Sequence, residues 1–147
     1  MNLQNIFKLS GVLLALFGSQ SLTAQTCLIN TGKLDNGNIV YTEVFEYDYV
    51  DIKPEFPGGG RSMINFINSN REYPHEAYES GIQGRVTCSF VVNTDGTLSN
   101  IKILKGVENS LNEEALRLIQ SMPEWTPGSI HGTPVPVRVI CNIPFRR

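Results

Sequence analysis

The sequence predicts an α+β domain, two helical segments packed on a three-stranded antiparallel sheet. Three observations carry that expectation. Apolar residues recur at helical spacing in 61–70 and again in 110–122. Polarity alternates in 85–93 and in 135–145, and a tight-turn signal at Thr94-Asp-Gly-Thr97 returns the first of these as a strand over 98–105. The 147 residues leave room for one domain and a front end, not for two domains.

The front end reads as an address. Lys8 supplies positive charge, residues 9–17 form a short apolar run, and Ala24 is a small residue before Gln25. The run is about half the ~20 residues a membrane span needs, so 1–24 is expected to be a secretory signal peptide cut after Ala24, with an uncleaved inner-membrane anchor as the weaker alternative. Cys27 lies just beyond that cut and is a weaker candidate for lipidation, because Gln25 is not small. The mature chain is then expected in an exported, oxidising compartment. Residues 25–53 hold five acids (Asp35, Glu43, Glu46, Asp48, Asp51) against Lys33 and Lys53. Within them 30–38 is turn-rich and expected to be a mobile loop, and 39–50, with Tyr41, Phe45, Tyr47 and Tyr49, an accessory strand.

The main domain is expected over 54–147, opening with the breaker cluster Pro54-Glu-Phe-Pro-Gly-Gly-Gly60. Met63, Ile64, Phe66 and Ile67 mark the first helix, and Pro74 starts a second short stretch that Gly81 ends in the left-handed conformation. Val86, Cys88, Phe90 and Val92 share one face of the first strand. Ser110-Leu-Asn-Glu113 reads as a capping box before the second main helix, with Leu111, Ala115, Leu118, Ile119 and Met122 as its apolar stripe and Pro123 as its stop. Val135, Val137, Val139, Cys141, Ile143 and Phe145 then alternate along the last strand.

The composition, 41% hydrophobic and 18% charged with net charge −2, excludes disordered and fibrous classes and argues against nucleic acid as a partner. His75 and His131 lie far apart and no Cys-x-x-Cys occurs, so no metal or cofactor is expected and both histidines read as solvated. Cys88 and Cys141 point to apolar strand faces. If their strands run antiparallel and flush they face each other, either as buried thiols or as a disulfide. The three glycines before the first helix offer amides to an anion, but with Arg61 as the nearby cation a hinge is the better reading. Tyr73 and Trp125 are expected to cap the core rather than to bind. With no nucleophile–base pair and no metal set, the sequence is not read as an enzyme.

The last strand is the informative element. Pro136 and Pro144 lack amide hydrogens, which suits an edge strand with those positions facing outward. Arg138, Ile140 and Asn142 share that parity, so their backbone groups are expected to be free, either as an edge that accepts a partner strand or as one that the prolines simply protect from aggregation.

A family resemblance points the same way. Pro54-Glu-Phe-Pro-Gly-Gly59, Tyr73-Pro74 with Ala77, Gly81-Ile-Gln-Gly84, Arg85-Val86 and Phe90-Val-Val92 follow the order seen in the C-terminal domain of TonB proteins. Asp95-Gly96, Glu114-Ala115, Met122-Pro123, Trp125-Thr-Pro127 and Gly132-Thr-Pro-Val135 continue it. The chain resembles this family over about 54–146, most nearly in its Bacteroidetes form. The resemblance implies a periplasmic domain that binds the TonB box of outer-membrane TonB-dependent transporters through its last strand, here 134–143, with Val135, Val137, Arg138, Val139, Ile140 and Asn142 as the partner-binding residues. It also implies a link to energy-coupled transmembrane transport and to the inner-membrane proton-driven motor. TonB proteins usually carry an uncleaved anchor and a long Pro-rich spacer, whereas here a cleavable leader and a short acidic segment precede the domain. Box binding is therefore expected more firmly than force transmission, and a scaffold or adaptor that pairs its edge with itself as a homodimer is the alternative.

Overall fold

The computed structural model describes residues 26–35 and 38–147, with side chains from Glu43 onward. The leader expected over 1–24 and the Cys27 side chain lie outside the described residues. In chain order the elements are β1 (Thr26–Asp35), β2 (Asn38–Glu46), a 3-10 turn (Tyr47–Tyr49), α1 (Gly59–Asn70), α2 (His75–Glu79), β3 (Gly84–Val92), β4 (Leu98–Lys105), α3 (Asn109–Gln120), β5 (Ser129–Ile130), β6 (Thr133–Pro134) and β7 (Val137–Phe145).

The fold is α+β, as expected, and the predicted antiparallel trio β7-β3-β4 is its centre. The sheet is wider than expected, however, with five strands in the order β1-β2-β7-β3-β4 and a separate two-stranded ribbon of β5 and β6. Within the segment expected as a mobile loop, residues 30–35 instead belong to β1, which pairs antiparallel with β2. The accessory strand stops at Glu46, and Tyr47–Tyr49 turns away as a 3-10 helix rather than continuing to residue 50. Turn residues such as Asn30 and Gly32 weaken strand propensity, but pairing with β2 supplies the backbone partners that propensity alone does not.

Alternation in β3 and β7 does what the pattern requires. Val86, Cys88, Phe90 and Val92 on β3, with Val139, Cys141, Ile143 and Phe145 on β7, bury against Leu111, Ala115, Leu118 and Ile119 of α3. Burying a side chain of this size stabilises by roughly 1.5–3 kcal/mol. A smaller cluster of Phe45, Val50, Ile130, Val135 and Val137 lies where β2 meets β7 and the β5–β6 ribbon.

The capping box does not form. α3 begins at Asn109, two residues earlier than a Ser110 cap would start it, and its cap is Glu108, whose carboxylate accepts from the Ser110 amide at 3.0 Å and from the Ser110 hydroxyl. Glu113 instead accepts from the Asn109 side chain at 2.9 Å. The reason is competition: a carboxylate one residue ahead of Asn109 reaches the first-turn donors before Ser110 can serve as a cap. Further along α3, buried Glu114 takes two bonds from Arg117, at 2.6 and 2.7 Å, and one from the Glu72 amide at 2.8 Å. Arg117 also donates to the Asn70 carbonyl, so the α1–α2 link is clamped to α3.

Candidate functional site: the outer side of β7

The backbone of β7 has two unlike sides. Towards β3 it is in register along its whole length, from Gly84 opposite Phe145 to Val92 opposite Val137. On the other side, the Pro136 carbonyl accepts from the Phe45 amide at 2.9 Å, and the Pro144 carbonyl accepts from the Arg71 guanidinium. Backbone groups alternate along a strand, so Arg138, Ile140 and Asn142 share the outward direction of those two prolines. The sequence therefore assigned the parity of this strand correctly.

It did not foresee that the side is partly covered. β2 runs parallel to β7 and pairs at Phe45 opposite Val137 and Glu46 opposite Arg138. β7 is thus interior at its start and an edge only beyond it. From Val139 onward no strand lies against its outer side among the described residues. Besides the Phe45–Pro136 backbone bond, side chains hold β2 there: Phe45 buries in the small cluster with Val137, and Glu46 forms an ion pair with Arg138, with Nε to Oε2 at 3.2 Å.

A groove of about 740 Å³ opens beside this bare stretch. Arg138, Ile140 and Cys141 line it from β7, Glu46 to Asp48 and Lys53 from the β2 side, and Phe56, Met63 and Trp125 supply apolar surface. Ile140 is 57% exposed, an unusual state for a large apolar residue in the middle of a sheet. Lys53 is held in place by the carbonyls of Tyr47 at 2.6 Å and Val50 at 3.1 Å, with its ammonium 5.2 Å from the Tyr47 ring centre. Trp125 packs edge-on to Phe56 and Phe90, and its indole N–H is buried with no acceptor among the described residues.

Local sequence places these walls. The amide and carbonyl of Glu55 exchange hydrogen bonds with Thr126 at 3.0 and 2.8 Å, which sets Phe56 beside Trp125. The Trp125 amide donates to the Gly96 carbonyl at 2.9 Å, tying the groove to the β3–β4 turn. Gly96 has φ +86°, and a Cβ there would stand 2.2 Å from the Trp125 carbonyl oxygen, so the position admits glycine alone. Gly58, at φ +81°, turns the chain into α1. The Glu55 carboxylate lies 3.0 Å from where a Cβ on Gly59 would stand, which fits the hinge reading of this cluster better than an anion site.

The other predicted residues fall as follows. Val135 precedes β7, is buried in the small cluster and donates its amide to the Gly128 carbonyl at 3.0 Å. Val137 and Val139 turn their side chains to the interior and their backbone towards β3. Arg138, Ile140 and Asn142 are the members of the set brought together on the outward side. The strand itself runs Val137–Phe145, later than the expected 134–143. Cys88 and Cys141 are opposite each other, buried, and both free thiols. Burial pushes each up to about 11, Cys88 with a further push from Cys141. Tyr73 packs on Phe145 and donates to the Ile82 carbonyl, and with Trp125 it lies in the core as expected. His75 and His131 are exposed. Among the described residues no group of three or more His, Cys, Asp or Glu could hold a metal ion, and no helix is long and apolar enough to cross a membrane.

The groove walls at 46–48 and 53–56 were not legible as site residues. The signal available was the breaker cluster itself, since a Pro/Gly-rich run beside a bare strand edge is where a loop can stand back and leave space.

Comparison with known proteins then identifies the family. The pattern described as Gram-negative bacterial TonB protein C-terminal matches residues 69–146. Protein TonB from two strains of Helicobacter pylori is 39% identical over 62 residues, which is 42% of this chain and 22% of those proteins. The chain thus spans about a fifth of the length of these curated relatives. Two NMR solution structures of the Helicobacter pylori TonB C-terminal domain are also similar. One has a TM-score of 0.47 at 27% identity over 59% of this chain and 78% of that one. The other has 0.46 at 28% identity over 58% and 90%. The family pattern covers more than half of the sequence, from the end of α1 to the end of β7, and on that ground the chain belongs to the TonB C-terminal domain family.

Proposed function

We propose that this domain is a periplasmic binding module that adds an extended segment, the TonB box of an outer-membrane TonB-dependent transporter, to the outer side of β7, and so contributes to energy-coupled transport. The observation that carries the reading is the bare stretch from Val139 to Asn142 beside a groove of about 740 Å³. An added strand would meet the outward backbone groups of Ile140 and Asn142, and side chains on one of its faces would enter the groove over Phe56, Met63 and Trp125. β2 bounds the site at one end and Arg71 at the other, so the incoming segment is short. Pairing through main chain suits a partner that must be gripped whatever its side chains, since the load is shared among several hydrogen bonds.

The test is capture of transporters from detergent-solubilised outer membranes of the source cell by the full chain. Ile140→Pro removes the one outward amide at the centre of the bare stretch and leaves the β3 side of the strand intact. TonB-dependent transporters, identified by mass spectrometry, are expected with the parent chain and reduced at least about tenfold with the variant. Equal recovery by both, or by neither, overturns pairing at this edge and favours the scaffold reading, in which sedimentation would show a homodimer lost in the same variant.

A further inference from the structure

The cysteine pair beneath the groove has a geometry of its own. Cys88 and Cys141 are directly opposite in the β3–β7 ladder. Because Pro136 and Pro144 direct their carbonyls outward, the odd-numbered residues of β7 direct theirs towards β3. Cys88 and Cys141 therefore form a hydrogen-bonded pair, the type whose Cα atoms stand about 5.5 Å apart. That spacing is within the range a disulfide spans. Cβ atoms in such pairs stand about 4.5–5.5 Å apart, wider than the ~3.8 Å typical of a bridge, so closing one costs local strain and leaves it readily reduced.

We propose that Cys88 and Cys141 are a reversible disulfide couple that staples β7 to β3 directly behind the bare edge. Two thiols lose their hydrogens and form one S–S bond. The two electrons and two protons pass to the disulfide of a thiol-exchange partner, which is released as two thiols. The family's envelope location supplies a compartment where such partners act. Both side chains are buried, with Cys88 fully enclosed and Cys141 only 4% exposed, at the groove. Thiols whose acidity is weakened to about 11 attack slowly, so the bond forms while the chain folds or opens rather than on the closed domain. The existence of the couple does not rest on the function proposed above. Its consequence does: a strand that grips a pulled segment would be tied covalently to the centre of the sheet.

The experiment is to unfold the full chain in urea under reducing conditions and refold it in buffer containing oxidised glutathione. Free thiols are then alkylated and the chain digested with trypsin without reduction. The expected result is a linked pair of the peptides spanning 86–102 and 139–146, lighter than their sum by two hydrogens, in a chain with native circular dichroism. Return to reduced glutathione is expected to lower the linked fraction at least about tenfold. The Cys27→Ser chain is expected to behave identically, because the partner of Cys88 is Cys141. Recovery of both peptides alkylated, a bridge from either to Cys27 instead, or a linked chain without native circular dichroism each overturns the proposal. Failure of transporter capture would leave this result untouched, so the two proposals fail separately.

Discussion

The two sides of β7 are made of the same nine residues and are held in different ways. Facing β3, the strand has a partner opposite every residue and a helix-backed core behind it. Facing β2, it has two paired positions, one partly exposed ion pair and a cluster of five buried residues. The first side fixes the strand; the second leaves it usable. A binding edge needs both, because an added strand must find backbone groups that are unpaired yet do not move. β7 is anchored through its odd-numbered side chains and its β3 ladder, while among the described residues no strand lies beside the outward groups of Ile140 and Asn142.

The comparison breaks hardest on the β3 side. Phe90 is 1% exposed and packs on Trp125, so Phe90→Ala is expected to cost about 3–5 kcal/mol, read as a lower urea midpoint for the whole domain. If only residues near the groove lose amide protection while the global midpoint holds, the two sides are less unequal than described. On the β2 side the expected effect is small. Glu46→Gln removes the charge partner of Arg138, whose side chain is 39% exposed, and is expected to cost under about 1 kcal/mol. Faster amide exchange in β2, with β3 unchanged, would locate that loss; a cooperative collapse would show that β2 is integral to the core.

Away from both sides, Glu108 sharpens the comparison through acid sensitivity. The Ser110 hydroxyl holds its carboxyl below the usual range, with burial opposing and the amides of Ser110, Leu111 and Asn109 assisting. A lowered folded value means that the stability it contributes is present above the unfolded value. It is lost as pH falls through the folded one. Parent and Glu108→Gln chains are therefore expected to differ most near neutrality and to converge in acid, in parallel urea titrations. A gap that persists at low pH would assign the effect to shape rather than charge.

Much of this could be read from residues in order. Cys88 opposite Cys141 followed from two alternating runs laid flush, and the outward parity of Arg138, Ile140 and Asn142 from two prolines eight residues apart. These are local rules: a strand alternates, and proline cannot donate. The same rules failed at α3, where Ser110 matched a cap motif and a neighbouring carboxylate took the role. They failed again before residue 50, where turn residues masked β1.

By itself, then, the sequence determined the fold class, the central trio of strands, the order of the helices and the side of β7 that faces outward. These depend on periodicity and on single-residue chemistry, which survive without knowledge of neighbours. Only the tertiary structure decided how much of that side is open. The width of the sheet, the parallel seat of β2 at Phe45 and Glu46, the Arg71 bond to Pro144 and the pairing of Phe56 with Trp125 join residues tens of positions apart. Such contacts are selected by what each surface can bury once the chain has closed on itself.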